Sequence, residues 1–210
     1  MEKQKKISMA VIRRLPRYYR YLADLIDNNI TRISSQELAK RMKITASQIR
    51  QDLNCFGGFG QQGYGYNVNM LFNEISKILG TQENFKMVII GAGRLGRALA
   101  HYQNFLRRGY DIVGIFDVSE TIIGSIINGI EVMHIDYLKS FANSNKVDIA
   151  ALTVPSGNVR DVAGIACDAG IKGIWNFSPR ELNLPEDIVV ENVHLSDSLM
   201  VLGYRLAKRP

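Results

Sequence analysis

The six residues Gly91-Ala92-Gly93-Arg94-Leu95-Gly96 have the spacing of a loop that cradles a dinucleotide pyrophosphate. In such a loop the first glycine permits a tight turn, and the second lets the backbone approach the phosphates. The third lets helix and strand pack closely. The helix that follows offers its free N–H groups and its positive dipole end, and Arg94 could add a charge. Asp117 stands 21 positions after Gly96, where the apolar run Ile112 to Phe116 ends. An acid there accepts hydrogen bonds from a ribose diol and repels a 2′-phosphate. Val118 follows and no arginine adjoins, so the spacing selects NAD+ and NADH over their 2′-phosphorylated counterparts.

Chemistry beyond binding finds little support. A nicotinamide dehydrogenase needs a general acid or base beside the ring. His101, His134 and His194 are the only histidines, and neither His101 nor His134 has a carboxylate partner at a suggestive spacing. Fewer than 35 residues follow Pro179, too few for a substrate domain. Cys55 and Cys167 lie far apart, without zinc-type spacing. We expect no catalytic residue and no metal. The segment Leu152-Thr153-Val154-Pro155-Ser156 ends a strand at a proline, which places Thr153, Val154 and Pro155 at the carboxyl edge of a sheet, beside the ligand.

These groups need a scaffold. Lys86 to Ile90 reads as a buried parallel strand before the glycine loop. Further strands are expected at Gly129 to Met133, Val147 to Val154 and Ile171 to Phe177, with helices near Asp136 to Ala142 and Asn158 to Ala169. A terminal amphipathic helix is expected over Ser196 to Arg209. It docks on its own domain or reaches a second subunit.

Upstream lies a basic segment. Residues 1–80 hold 13 Lys and Arg against 6 Asp and Glu, and residues 81–210 hold 13 against 14. A basic face concentrates polyanions, of which nucleic acid is the usual one. A first helix is expected from about Pro16 to Asp27. A second begins at Ser34 or Ser35, with Ser34 and Glu37 as a capping box. A third runs from the Thr45–Gln48 capping signature to about Cys55. Short helices joined by a tight turn form the helix-turn-helix pattern. In the third helix Ile49, Leu53 and Phe56 face the core, while Ser47, Gln48, Arg50, Gln51 and Asn54 point elsewhere. That second set can reach base edges and phosphates. The stretch Gly57 to Tyr66 resembles a β-hairpin wing, with Tyr64 near a backbone contact. One more helix is expected over Asn69 to Leu79, with a hinge at Gly80 to Asn84.

An apolar content of 46% and a charged content of 22% are ordinary for a globular chain. No apolar stretch approaches the ~20 residues of a membrane span, and no signal peptide heads the chain, so a cytoplasmic protein is expected. The fold class expected is α/β: an N-terminal α+β winged helix-turn-helix over 1–80, a Rossmann-type doubly wound parallel sheet over 81–193, and a C-terminal helix over 194–210.

Together these motifs resemble the redox-sensing transcriptional repressor Rex family, over essentially the whole chain. The resemblance rests on Arg14-Leu15-Pro16, Tyr19-Arg20-Tyr21-Leu22, Ser34 to Ala39, Gln48 to Leu53 and the wing. It also rests on Gly91 to Gly96, Phe116-Asp117-Val118, Leu152 to Pro155, Gly170 to Ile174, Asn176 to Pro179 and Val190 to Val193. It implies a homodimer that binds double-stranded, inverted-repeat operator DNA when NADH is scarce, with a C-terminal helix exchanged between subunits. It implies DNA contacts from Arg50 and Arg14. Gln51 stands where the family usually has lysine. Arg20 matches an interface arginine whose family partner is an aspartate; here His194 holds that position, and Asp197 lies one turn on. Tyr102 matches a tyrosine of the sensing region. Val154, Pro155 and Leu195 supply apolar surface that favours the neutral ring of NADH. Two rival readings are an NAD-dependent oxidoreductase and a CoA- or nucleotide-binding ligase subunit, each with a basic appendage. Cys55, beside the third helix, is an oxidation-sensitive thiol on one reading and a small buried hydrophobe on the plainer one.

Overall fold

The structure, a computed structural model, describes residues 7–56, 60–61 and 65–209. The chain divides into two compact units, Met1–Glu83 and Asn84–Pro210.

In the first unit a short helix α1 (Met9–Ile12) precedes α2 (Leu15–Asp27), β1 (Arg32–Ile33), α3 (Ser35–Met42) and α4 (Ala46–Leu53). Then come β2 (Gly60–Gln61), β3 (Gly65–Asn67) and α5 (Val68–Ile78). Helix α1 and strand β1 lie outside the sequence expectation; at four and two residues they are too short to show a period. Leu15, Leu22 and Leu25 of α2, Leu38 and Met42 of α3, and Ile49 and Leu53 of α4 are all buried, together with Leu71 and Ile75 of α5. The capping box at α3 is complete: Ser34 Oγ accepts from the Glu37 N–H, and Glu37 Oε2 accepts from the Ser34 N–H, both at 3.1 Å. Thr45 caps α4 by accepting from the Gln48 N–H. The Gln48 side chain does not complete a second box; it reaches forward to Asp52 instead.

Strands β1, β3 and β2 form an antiparallel sheet in that order, the wing read from the glycine-rich stretch. Gly65 has φ +72°, and a Cβ there would stand 2.6 Å from the Ile33 carbonyl oxygen. Only glycine satisfies both constraints. Tyr64 lies outside the described residues.

The second unit is a seven-stranded sheet built from β4 (Phe85–Ile90), β5 (Tyr110–Asp117), β6 (Ile126–Ile127), β7 (Ile130–His134), β8 (Ile149–Leu152), β9 (Gly173–Asn176) and β10 (Val189–Asn192). The spatial order is β10-β9-β8-β4-β5-β7-β6. All pairs are parallel except β6 with β7. Helix α6 (Arg94–Ala100) follows β4, α7 (Leu138–Asn145) follows β7, and α8 (Val159–Asp168) follows β8. Val88, Ile90, Ala150 and Leu152 face a core with Leu138 of α7 and Ala163 of α8. Met87, Ile89 and Ala151 face the opposite way, toward Ala100 of α6. This is the doubly wound arrangement, with its strand order reversing between β4 and β8.

Strand β8 is shorter than the apolar run Val147 to Val154. The Thr153 N–H still bonds the Ile90 carbonyl, but its hydroxyl turns to the Gly91 carbonyl at 2.7 Å. Strands β6 and β10 were not read from the sequence. Helix α9 (Leu195–Ala207) closes the chain, and none of its residues is buried.

Candidate dinucleotide cleft and nucleic-acid face

Where the strand order reverses, a cleft of about 200 Å³ opens at the carboxyl edge of the sheet. It is lined by Gly91, Gly93, Asp117, Val118, Thr153, Val154, Pro155 and Asn158, with Ile90, Ile122, Ile135 and Val162. The three glycines of the loop differ in what the rest of the chain demands of them. Gly91 has φ +104°, and a Cβ there would meet the Thr153 carbonyl at 2.9 Å. At Gly96 a Cβ would lie 2.0 Å from the Gly91 carbonyl oxygen. At Gly93 a Cβ would meet no described atom within 4 Å. The chain's own packing therefore does not require glycine at 93. The space beside Gly93, at the start of α6, is open and leaves the main chain accessible to a phosphate group.

Asp117 ends β5 and aims both oxygens at backbone. Its Oδ2 accepts from the Ala92 N–H at 2.6 Å, and its Oδ1 from the N–H groups of Val118 and Ser119 at 2.8 and 2.9 Å. A carboxylate has about four acceptor sites. These three bonds leave acceptor capacity on the carboxylate, and the one from Ala92 ties the acid to the glycine loop. Arg94 is exposed and Leu95 half-buried at the start of α6. Tyr102 stands in the turn after α6, 44% exposed, with its ring 4.7 Å from Phe105. It is not among the described residues that line the cleft. Leu195 is exposed at the start of α9, His194 occupies the helix N-cap and is partly buried, and Asp197 is exposed in its first turn. Arg20 is exposed on α2.

In the first unit Ser47, Arg50, Gln51 and Asn54 are exposed along α4, the second helix of the α3–turn–α4 pair. Arg50 Nη1 donates to Ser35 Oγ at 3.2 Å, which draws its guanidinium toward the start of α3. Two expected DNA contacts sit differently. Arg14 Nε and Nη2 donate to Asp52 Oδ2 and Oδ1 at 2.8 and 2.7 Å, a bidentate pair, and its side chain is 35% exposed. Gln48 is half-buried, and its Nε2 donates to Asp52 Oδ1 at 2.8 Å.

Asp52 itself escaped the sequence reading. It lies three positions after Ile49 on the inward stripe of α4, 1% exposed, and also accepts from the Tyr18 hydroxyl at 2.9 Å. Burial pushes its carboxyl pKa up, but the hydrogen bonds from Arg14, Gln48 and Tyr18 outweigh burial and hold it below the ordinary value. Burial and the bond to Asp52 both push the Tyr18 hydroxyl up. An acid at i+3 on an apolar stripe, with Arg14 and Tyr18 upstream, was the signal available.

Two family models match the chain. One, described as a putative DNA-binding protein N-terminus, covers residues 6–54; the other, a CoA binding domain, covers 82–180. The redox-sensing transcriptional repressor Rex of Caldicellulosiruptor saccharolyticus is 54% identical over 209 residues, 100% of this chain and 95% of its own. The Rex of Clostridium botulinum strain Hall is 55% identical over 202 residues, 96% of each chain. The crystal structure of RSP in complex with β-NAD+ and operator DNA matches with a TM-score of 0.90 at 52% identity, covering 96% of this chain and 93% of that one. RSP in complex with β-NADH matches with a TM-score of 0.90 at 49% identity, covering 97% and 95%. RSP is described as a Rex-family repressor. Identity at this level, over nearly the whole of both chains and through both units, shows that the chain belongs to the Rex family of redox-sensing transcriptional repressors.

Proposed function

We propose that the protein binds operator DNA as a homodimer and is released by NADH, so that transcription follows the NADH/NAD+ ratio. The observation that carries this reading is the joining, in one Rex-family chain, of a winged helix-turn-helix and a dinucleotide cleft at the sheet's switch point. Helix α4 enters the major groove with Ser47, Arg50, Gln51 and Asn54. The wing follows the backbone. NAD+ or NADH occupies the cleft, with its pyrophosphate on the Gly91 to Gly96 loop and its ribose on Asp117.

The two cofactor forms differ by a hydride and by the charge on the nicotinamide ring. A ligand shifts an equilibrium only by its differential affinity for the two states. Val154 and Pro155 line the cleft with apolar surface, which penalises the charged ring. Arg20 of one subunit, with His194 or Asp197 of the other, carries the coupling contact, and Tyr102 belongs to the same sensing region. Helix α9 supports the dimer: Leu195, Leu199, Met200, Val201, Leu202, Tyr204 and Leu206 are each at least 51% exposed. An apolar helix in this state requires a partner surface, and exchange between subunits supplies one.

We read the cleft as binding the dinucleotide without turnover. Among its described lining residues Asp117 alone is titratable, and its oxygens already accept three backbone N–H groups. The CoA-binding match concerns the second unit alone. Coenzyme A carries a phosphate on its ribose, which the Asp117 carboxylate repels. Among the described residues no helix is long and apolar enough to cross a membrane. We place the protein in the cytoplasm, with the chromosome it regulates.

The test is fluorescence anisotropy with a duplex selected by the protein from a randomised inverted-repeat pool. Salt is fixed, because phosphate contacts make affinity steeply salt-dependent. Tight binding that NADH abolishes and NAD+ spares is expected. Coupling is reciprocal, so saturating duplex must weaken NADH binding by the same factor. An NADH affinity indifferent to bound duplex sinks the reading.

A further inference from the structure

Helix α4 is eight residues long, little more than two turns. Its outward side chains reach their targets only if its rotation about its own axis is fixed. Ile49 and Leu53 bury it, but hydrophobic contact is non-directional and tolerates rotation. A bidentate guanidinium–carboxylate pair does not, because its two parallel bonds require one geometry.

Such a pair fastens α4 to α2. Asp52 projects inward from the last turn of α4 and receives four bonds: two from Arg14 at the start of α2, one from Tyr18 a turn later, and one from Gln48 on α4 itself. These fill the carboxylate's acceptor sites. Tyr18 and Arg14 are 34 and 38 positions from Asp52 in sequence, so the clamp is tertiary. Arg50 stands two residues before Asp52 on the exposed side of the same turn. Turning the carboxylate therefore turns Arg50 by the same angle.

We propose that the Arg14–Asp52 pair, closed by Tyr18 and Gln48, is the positioning element of the DNA-reading helix, setting base discrimination rather than phosphate affinity. Arg14 and Gln48 act through Asp52 and not on DNA. A buried ion pair is often replaceable by apolar residues without loss of stability, and specificity is what this pair supplies. The inference rests on the reading that α4 enters the groove.

The test uses the full-length protein and three variants: Arg14→Met, Asp52→Asn, and the apolar exchange Arg14→Met with Asp52→Leu. The exchange leaves no unpaired buried charge and guards against simple unfolding. Circular dichroism and NADH titration check that both units fold. Binding is measured to the selected duplex and to a scrambled one of equal length, across a salt series. For the double variant we expect the selected-to-scrambled affinity ratio to fall on the order of tenfold, with scrambled-duplex affinity and the salt slope unchanged. Arg14→Met alone is expected to keep the salt slope as well. A slope reduced by about 0.9 with both duplexes weakened alike makes Arg14 a phosphate ligand and overturns the proposal. An unchanged ratio in a folded double variant overturns it too, leaving the pair a structural contact. Wild-type protein that selects no duplex removes the groove reading itself, and with it this inference; that failure shows without any variant.

Discussion

Gly93 and Gly96 stand three residues apart and answer to different neighbours. At Gly96 an added methyl collides with the Gly91 carbonyl, and at Gly93 it meets nothing among the described atoms. Gly93→Ala is therefore expected to keep its unfolding free energy within about 0.5 kcal/mol, as remote surface changes do, while losing dinucleotide affinity. Gly96→Ala is expected to lose more than about 1 kcal/mol through forced displacement of the loop. Thermal unfolding and NADH titration of both variants check this, and equal effects on the two quantities at Gly93 count against a phosphate there. Asp52 makes a second prediction. Its folded-state pKa lies below that of the unfolded chain, so its contribution to stability is complete above the unfolded value of about 3.9 and is lost as pH falls through the folded value. The melting-temperature difference between wild type and the double variant (Arg14→Met with Asp52→Leu) should be flat near neutrality and move in favour of the variant in acid. A difference that stays constant through the acid range contradicts it. The glycines and Asp117 were legible because loop and acid recur at fixed local spacing. The clamp was not: Arg14 and Asp52 are 38 positions apart, and a charged stripe residue reads as solvated until its partner is placed.

At the level of elements, length and burial together decided what could be read. Helices α2, α3, α4 and α5 and strands β4 and β5 carry enough residues to show a period and a cap. Their ends fell within a few residues of the sequence reading. Strands β1 and β6, of two residues, carry no period of their own and exist because a neighbour supplies the ladder, while β10, as long as β8 and β9, has no buried residue to mark it. The α9 periodicity was visible, but periodicity cannot say which surface receives it. For α4 the expectation is sharp. Arg50→Ala should weaken binding to the selected duplex by about 1–3 kcal/mol and relax discrimination at one base pair. Competition against singly substituted duplexes measures it, and uniform weakening across all of them reassigns Arg50 to the backbone.

For the molecule as a whole, the proposed dimer rests on α9. Removing residues 195–210 takes away the exposed apolar helix and, on the proposed exchange, the means of dimerisation. The truncated protein is expected to sediment as a monomer and to bind a half-site duplex as well as the full inverted repeat. A truncated dimer in analytical ultracentrifugation places the interface elsewhere.

Trp175, the only tryptophan in the chain, sits on β9 with its ring 4.5 Å from Phe177 and 5.5 Å from Phe105. Its emission therefore reports on the unit that holds it, residues 84–210, while far-ultraviolet circular dichroism follows both units. Melting curves from the two signals separate wherever the units unfold independently, which a single probe would hide. Reduced nicotinamide absorbs where indole emits and the oxidised ring does not. If NADH occupies the cleft as proposed, energy transfer from Trp175 is expected to register NADH and to be blind to NAD+, an optical gauge built into the chain.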